Sequence, residues 1–270
     1  MRTGWLTYVL AALLLFVQSG ALAQQNENAE TPDSRQDRIV IASEPDYPPY
    51  CMVDEKGQAA GFSVDLFKAA ADAVELDVTI KIGIWHKIKQ DLAEGKIDAL
   101  PLVGRTPERE ALFDFTLPYL SLHGAVFVRR DTFGINSPSD LKHKEITVMK
   151  GDNAEEFVRR ETLSDNIATT RTFEEAFQAL AGGKTDAVVT QRVMGLKLLD
   201  AMGIESVKPL DMRLEKFRQD FCFAVQEGDK QLLDRLNEGL STVIANDSYK
   251  DIHHKCFGSA IKETIALKDI

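Results

Sequence analysis

Apolar and polar residues follow two alternating periods along the chain, and these predict strands and helices in turn. Residues 38–46 and 144–153 are short runs rich in β-type residues that end in polar, turn-forming residues. Residues 61–76 place apolar side chains every three or four positions, as one face of a helix does, and 78–84 return to a strand pattern. Strands that alternate with helices form mainly parallel sheets with helices on both faces. We therefore expect an α/β fold.

One segment occurs twice. Residues 85–101, WHKIKQDLAEGKIDALP, align with residues 173–189, FEEAFQALAGGKTDAVV, at a constant offset of 88 positions. Each copy predicts a helix that opens with an aromatic residue, a glycine that ends the helix, and a strand. Such a repeat predicts two similar α/β lobes. The GGKT of the second copy is interpreted as a helix end, because Gln178 stands where a phosphate-binding loop needs glycine.

The last third of the chain continues the same pattern. Residues 193–203 are helical in period, and 217–225 are a strand candidate. Residues 229–257 read as helical, with interruptions expected at Gly239 and at Asn246–Asp247.

The two ends of the chain differ from the rest in composition. Residues 1–23 combine one positive charge, an apolar core and the small-residue triplet ALA, which is typical of a cleaved secretory signal peptide. Residues 24–37 have almost no apolar side chains and predict a flexible leader, and residues 259–270 predict a polar tail. We expect the mature protein in the periplasm.

Charge and cysteine content limit the possible functions. The formal net charge of −10 argues against a nucleic acid partner, which requires a basic surface. Cys51, Cys222 and Cys256 allow one disulfide and one free thiol, or three buried thiols, and the sequence does not choose between these. No CxxC or other metal-ligand spacing is present, so we expect neither a metal nor a cofactor.

The stretch LVGRTPERE, residues 102–110, carries the main candidate chemistry. In one interpretation it is an ordinary turn from strand to helix, with Thr106 as the N-cap, Pro107 at the first helical position and solvated arginines. In the other, Arg109 is a fixed cation directed into a cleft. A guanidinium group suits that role because its planar fork binds a carboxylate through two hydrogen bonds and never loses its charge.

Four stretches together resemble the periplasmic solute-binding proteins of the polar amino acid uptake class, family 3. The stretch LAEGKIDALPLVGRTPEREALFDFTLPYL is the one most similar to sensor-type members of that class. The stretches, which span nearly all of the chain from residue 39 to 258, are ASEPDYPPYCMVDEKGQAAGFSVDLFKAAA, LAEGKIDALPLVGRTPEREALFDFTLPYL, LAGGKTDAVV and LNEGLSTVIANDSYKDIHHKCFG.

The resemblance implies a two-lobed, type II periplasmic-binding-protein fold, with mostly parallel sheets and two hinge strands. Lobe 1 would comprise residues 38–131 and 219–258, and lobe 2 residues 132–218. The hinge strands would lie in 127–134 and 214–221.

The resemblance also implies a carboxylate clamp. Arg109 falls where this class has the arginine that holds a ligand carboxylate, and Gly104 and Thr106 precede it at the strand end. The alternatives are a surface arginine or one that pairs with Glu108 or Glu110.

Other positions of the first lobe follow from the same resemblance. Tyr47 and Trp85, and with less weight Tyr50, fall where the class has aromatic side chains that sandwich the ligand. An aromatic residue in the Pro-Pro-Tyr turn also fits a core position. Glu44 falls where relatives keep an acid that contacts the far end of the ligand.

In the second lobe, the turn at 150–154 would offer backbone N–H groups to the ligand carboxylate, with Asn153 in the site. Asp152 in that turn is expected to cap a helix, because in the cleft it would repel an anion. Gln191 stands where members that bind α-amino acids generally carry an aspartate for the ammonium group. Recognition of an ammonium would then pass to Glu44 or another acid, and Arg192 could favour a second anionic group.

The function implied is the capture of a small carboxylate-bearing ligand, a polar amino acid, by hinge closure. The partner would be an inner-membrane permease of an ABC transporter, and the protein would be a monomer without catalytic activity. One alternative is a module that senses the ligand for a membrane signalling partner. The other is a periplasmic dehydratase of the same fold, for which the sequence offers no catalytic motif.

Overall fold

Helices and strands alternate in the computed structural model, which describes residues 37–212 and 214–258. The predicted signal peptide, the predicted leader except for Asp37, and the predicted tail lie outside the described residues. In the described ranges, no helix has both the length and the apolar character needed to cross a bilayer.

The strands and helices follow the order that the spacing of apolar residues predicts. The described strands are β1 (Arg38–Ser43), β2 (Asp46–Tyr47), β3 (Cys51–Val53), β4 (Ala59–Ala60), β5 (Asp77–Ile82), β6 (Ala99–Gly104), β7 (Phe113–Phe115), β8 (Leu120–Arg129), β9 (Glu145–Met149), β10 (Asn166–Thr170), β11 (Ala187–Gln191), β12 (Val207–Pro209) and β13 (Arg218–Gln226). The described α-helices are α1 (Phe62–Asp72), α2 (Trp85–Ala93), α3 (Pro107–Glu110), α4 (Asn153–Arg160), α5 (Phe173–Ala181), α6 (Arg192–Ala201), α7 (Lys230–Ala245) and α8 (Ser248–Phe257).

Most strands join one large sheet in the order β10-β9-β11-β8-β13-β6-β1-β5, with β12 on β8 and β7 on β13. At one end, β1 pairs in parallel with β5 and β6, and at the other end β9 pairs in parallel with β10 and β11. The central strands β8 and β13 are antiparallel to their neighbours. The predicted α/β class is confirmed. We call the part around β1, β5 and β6 lobe 1, and the part around β9, β10 and β11 lobe 2.

Strand β8 belongs to both lobes. It pairs with β13 as far as His123 and with β11 from Gly124 onwards, so the crossing lies before the predicted hinge segment 127–134. At this point a Cβ on Gly124 would lie only 1.8 Å from Cδ1 of Phe217, so glycine leaves the space that the Phe217 ring occupies just before β13. The proposed lobe limits at 131 and 219 stay a prediction.

The sequence repeat corresponds to a structural repeat. Helix α2 begins at Trp85 and α5 at Phe173, and each is nine residues long and leads into the next strand of its own lobe. Gly182 is the C-cap of α5, and Gly183 has φ +71°. The interpretation of GGKT as a helix end is therefore confirmed.

The long helical segment near the end has one interruption and not two. Helix α7 ends at Ala245 and α8 begins at Ser248, with Asp247 at φ +65° between them. The predicted break at Gly239 is wrong, because α7 runs through that position. Gly239 packs against α1 instead, and a Cβ there would lie 2.0 Å from the carbonyl oxygen of Ala70.

All three cysteines are free thiols, so the predicted alternative of a disulfide does not apply. Cys51 and Cys222 are buried, and Cys256 is partly buried. Burial raises the pKa of the Cys222 thiol to about 12 and raises the pKa of Cys51 as well. Buried thiols with raised pKa values are poor nucleophiles, because little thiolate forms at neutral pH.

We expect Gly239→Ala to destabilise the protein, because the added methyl group collides with the backbone of α1 and not with a movable side chain. The loss should be about 1–3 kcal/mol in the free energy of unfolding, measured by urea denaturation. Ser241→Ala, on an exposed position of the same helix, is the matched control and should change stability little. Equal midpoints for the two variants would show that the α1–α7 contact tolerates a side chain.

Candidate functional site

The candidate site lies where strands of both lobes end. β6 ends at Gly104 and β1 at Ser43, both in lobe 1, and β9 and β11 end at Met149 and Gln191 in lobe 2. In an open parallel sheet, the loops and helix starts that follow these ends are where ligands bind. Most side chains considered below come from those segments, and Trp85 and Lys89 come from α2, which follows β5.

Arg109 is buried although it carries a permanent charge, with only 2% of its surface exposed. Its Nη1 donates to the carbonyl oxygen of Gly104 at 3.2 Å, and its Nη2 donates to that of Gly151 at 3.3 Å. Its Nε donates to Oε1 of Glu156 at 3.0 Å. Arg109 is thus neither solvated nor paired with Glu108 or Glu110, and every nitrogen of the guanidinium group has an acceptor.

The neighbouring charges have other partners. Arg105 pairs with Glu110 at 2.5 Å, and Glu108 pairs with Arg160 of lobe 2 at 2.8 Å. Both pairs are substantially exposed to solvent. Only Arg109 of this segment is therefore available as a buried cation.

Thr106 occupies the N-cap position of α3, as predicted, but its side chain does not cap the helix. Its hydroxyl donates instead to Oε2 of Glu156 at 2.9 Å. Gly104, two residues earlier, is held close to Asn153, since a Cβ on Gly104 would lie 2.7 Å from the amide nitrogen of Asn153. The local sequence thus places a hydroxyl and a bare backbone beside Arg109.

Trp85 opens α2 and lies against Arg109. The guanidinium carbon is 4.9 Å from the centroid of the indole ring, an arrangement in which the ring face attracts the cation. The indole Nε1 donates to the carbonyl oxygen of Gly151 at 2.6 Å. Trp85 therefore orients Arg109 and also contacts lobe 2.

The predicted tyrosines differ in surroundings. Tyr47 is buried between the lobes, with its ring centroid 5.5 Å from Phe173 and 6.4 Å from Phe221, and its hydroxyl has no hydrogen-bond partner among the described residues. Tyr50 packs against Phe257 of α8 at 5.5 Å and is a core residue. Of the two, Tyr47 has the surroundings of a site residue.

Glu44 follows β1 and is almost fully buried, and its Oε2 has no hydrogen-bond partner among the described residues. Burial raises its pKa well above the ordinary value, and the charges of Asp46 and Asp152 raise it further, while Arg109 lowers it. Such surroundings favour the neutral acid, and an approaching cation favours the charged carboxylate.

Asp152 is the N-cap of α4, and its side chain accepts from the backbone N–H of Ala154 at 2.9 Å. The predicted capping role is confirmed. The expectation that capping keeps it away from the site is wrong, because Asp152 is buried and its charge acts on both Glu44 and Tyr47. Burial raises its pKa to about 6, with Arg109 acting in the opposite direction.

The turn of lobe 2 contributes a carbonyl where N–H groups were predicted. The N–H of Gly151 donates to the side chain of Glu155 at 2.6 Å. The carbonyl oxygen of Gly151 accepts from Trp85, from Arg109 and from Lys89, the last at 2.8 Å. Three side chains of lobe 1 therefore converge on one peptide oxygen of lobe 2.

Asn153 and Gln191 form a buried amide pair at the strand ends of lobe 2. The Nε2 of Gln191 donates to Oδ1 of Asn153 at 3.4 Å, and its Oε1 has no hydrogen-bond partner among the described residues. Arg192, the next residue, reaches the carbonyl of Leu210 at 3.5 Å. The amide pair thus lies next to Gly104, whose carbonyl binds Arg109, whereas the contact of Arg192 is with Leu210.

Two charged residues of the site were not predicted. Glu156 lies in α4, and Lys89 in α2, with its Nζ 3.6 Å from Oε1 of Glu156. Burial lowers the pKa of Lys89, and the charge of Arg109 lowers it further. The one sequence signal for Glu156 is its spacing of four from Asp152, which puts both acids on one face of the helix.

The structure brings together all eight predicted site residues, although their roles toward a ligand stay a prediction. Arg109 and five of the others are joined to one another by direct contacts. Glu44 and Tyr47 lie near enough for the charges of Arg109 and Asp152 to act on them. In the described ranges, no group of three or more His, Cys, Asp or Glu side chains is arranged to hold a metal ion. The candidate site therefore combines the buried cation of Arg109 with the buried acids Glu44 and Asp152.

Comparisons with known proteins agree with the fold described above. Residues 39–259 match the bacterial extracellular solute-binding proteins, family 3. The chain is 31% identical to an L-arginine-binding protein of Pseudomonas aeruginosa over 81% of this chain and 87% of that one.

Two solved structures are similar in fold over 82% of this chain. One is a histidine kinase sensor domain with similarity to periplasmic binding proteins, at 28% identity and a TM-score of 0.77, covering 96% of that chain. The other is an ancestral arginine-binding protein bound to glutamine, at 30% identity and a TM-score of 0.75, covering 98% of that chain. The predicted two-lobed fold is confirmed.

The raised pKa of Asp152 predicts how stability depends on pH. The folded state binds the Asp152 proton more tightly than the unfolded state, so this residue costs stability as the pH rises from its ordinary value of 3.8 through about 6. Asp152→Asn keeps a good N-cap and removes the charge. Urea denaturation should therefore find this variant more stable than the wild type at pH 8, by roughly 1–3 kcal/mol, and nearly equal at pH 4.

Asp140→Asn is the control of opposite sign. Asp140 is an exposed capping residue whose pKa is lowered by its hydrogen bonds, so this variant should lose stability at pH 8. A difference between Asp152→Asn and wild type that stays constant from pH 4 to pH 8 would contradict the burial of an ionisable carboxyl at position 152.

Proposed function

The chain belongs to the bacterial extracellular solute-binding proteins, family 3, and we propose that it captures an amino acid between its two lobes and delivers it to a membrane transporter. The observation that carries this proposal is the burial of Arg109 at the contact between the lobes. A permanent cation is costly to bury unless anions or dipoles surround it. A ligand carboxylate is such an anion, and the arginine fork fits it through two parallel hydrogen bonds.

The acidic side chains of the site suit the ammonium group of an amino acid. Glu44 has a buried oxygen without a hydrogen-bond partner, and Asp152 lies close enough to raise its pKa. A ligand ammonium placed by Glu44 would satisfy that oxygen and stabilise its charged form. Glu44 thus takes the role that an aspartate at the position of Gln191 has in related proteins.

Closure of the lobes follows from where the contacts originate. Trp85 and Arg109 come from lobe 1, and the acceptor of Gly151 comes from lobe 2. Each lobe supplies only half of the shell around the clamp. Binding by closure at the crossing strands then assembles both halves around the ligand.

Location, partner and assembly are part of the same proposal. Family membership supports a periplasmic protein that hands its ligand to an inner-membrane permease, and the protein acts as a monomer. The relative from Pseudomonas aeruginosa is named as a binding protein, which supports binding without catalysis.

Sensing is the second candidate function. It is favoured by the histidine kinase sensor domain, which has a TM-score of 0.77 with this chain. In that case the same clamp and the same closure would report ligand to a membrane signalling partner. Both functions require the same bound ligand class.

The first test is a thermal-shift screen of the mature protein against amino acids, dicarboxylates and aromatic acids. A ligand at a thousandfold excess over its dissociation constant adds about 4 kcal/mol of stability. Arg109→Ala should weaken any carboxylate hit by roughly a hundredfold or more, because it removes a desolvated charge partner. Arg105→Ala, on the exposed neighbour, is the control and should leave the shift unchanged. If the ligand raises the melting temperature of Arg109→Ala as much as that of the wild type, Arg109 does not bind the ligand carboxylate.

The second test measures the protons that the protein releases when it binds an amino acid. If Glu44 meets a ligand ammonium, binding must release the proton that burial holds on its carboxyl, so affinity should rise with pH above the ordinary value of 4.5. Calorimetry of the best amino acid hit at pH 6.5, in two buffers of different ionisation enthalpy, measures the protons released. Glu44→Gln should release fewer protons than the wild type. Equal proton release would assign the ammonium to another group.

A further inference from the structure

The carboxylate of Glu156 contacts the two side-chain groups of lobe 1 that are assigned to the ligand carboxylate. One oxygen accepts from Nε of Arg109 at 3.0 Å and the other from the hydroxyl of Thr106 at 2.9 Å. Lys89 stands 3.6 Å from the first oxygen. The side chain of Glu156 is 14% exposed, so these contacts are largely shielded from solvent.

Glu156 and a ligand carboxylate cannot use these donors together. A threonine hydroxyl has one hydrogen to donate, and Nε of arginine also has one. Both hydrogens are directed at Glu156. A ligand that takes the hydroxyl of Thr106 and the Nε edge of Arg109 must therefore displace the carboxylate of Glu156.

We propose that Glu156 is an internal pseudo-ligand, which competes with the carboxylate of the captured molecule and thereby sets the affinity of the site. The proposal rests on the proposed function, since it names the group that the ligand replaces. Glu156 comes from α4 of lobe 2, and Arg109 and Thr106 from lobe 1. The same contact therefore links the two lobes in the way that a bound carboxylate would.

A second ion pair shows what an ordinary contact between the same two helices looks like. Glu108 of α3 accepts from Nη1 of Arg160 of α4 at 2.8 and 3.0 Å. The side chains of this pair are 42% and 35% exposed. Glu108 also has a hydrogen bond with the side chain of Thr106, but among the described residues its ion pair is with Arg160 and not with Arg109. Exposed pairs of this kind contribute little, whereas hydrogen bonds to a shielded charge contribute more. Glu108 and Glu156 thus form a matched pair for comparison.

Displacement leaves Glu156 with another cation nearby. Lys89 already lies within ion-pair distance of its carboxylate and is fixed by its hydrogen bond to Gly151. A rotation of the glutamate side chain toward Lys89 would free Arg109 and Thr106 while its charge stays compensated.

The test is chemical rescue by a simple carboxylate. In Glu156→Ala the clamp has lost its internal acid, so acetate should raise the melting temperature, whereas the uncharged isostere acetamide and an equal ionic strength of chloride should not. In the wild type and in Glu108→Ala, acetate should have no effect beyond that of chloride. If the alanine variant does not fold, Glu156→Gln carries the test through the binding measurements below, because its amide fills the space that acetate would occupy.

The second arm measures amino acid binding by calorimetry, with L-arginine and L-glutamine as probes. Removing a competing charged hydrogen bond should tighten binding to Glu156→Ala and Glu156→Gln by about tenfold or more over the wild type. Glu108→Ala should stay within about twofold of the wild type, since its pair is exposed.

The outcomes separate the two proposals. Acetate rescue without binding of any amino acid to any variant would support the role of Glu156 and count against the proposed function. Amino acid binding that is unchanged or weaker in the Glu156 variants, or an acetate effect equal to that in the wild type, would overturn the pseudo-ligand and leave the proposed function standing.

Discussion

A buried guanidinium group cannot exist alone, and this constraint organises the contact between the two lobes. Arginine stays charged at any physiological pH, so its burial requires acceptors on every side. Among the described residues, lobe 1 supplies the carbonyl of Gly104 and the face of Trp85 to Arg109. The remaining acceptors, the carbonyl of Gly151 and the carboxylate of Glu156, come from lobe 2. The charge that suits a ligand carboxylate is therefore also the charge that draws the lobes together.

Local features of the sequence predicted most of the fold. Helices and strands depend on the spacing of apolar residues over one or two turns, and helix ends depend on single glycines, so the repeat of α2 and α5 was visible at the right positions. For Arg109 the sequence left open a solvated arginine or a cation directed into a cleft, and the resemblance assigned it to a carboxylate clamp. The class of the site followed from the resemblance, which no single local feature carries.

Long-range contacts account for what the sequence did not predict. Glu156 is one of two adjacent acids in the first turns of a helix, where acids are common on any solvated surface, and its partner lies 47 residues away. Gly239 looks like a helix break by propensity, yet its function is to admit the backbone near Ala70, which no local rule contains. Asp152 was correctly predicted as a cap, but capping and burial beside the candidate site are compatible, since the capping hydrogen bond engages one oxygen, Oδ2.

The peptide oxygen of Gly151 receives donors from Trp85, Lys89 and Arg109. A substitution at position 151 does not remove this acceptor, because every residue type has the same backbone carbonyl. Position 151 also has φ +74°, so any replacement would strain the turn before it altered the electrostatics. Substitution can therefore change the strength of this contact only through its three donors, and a saturation scan of the turn would record distortion in place of recognition.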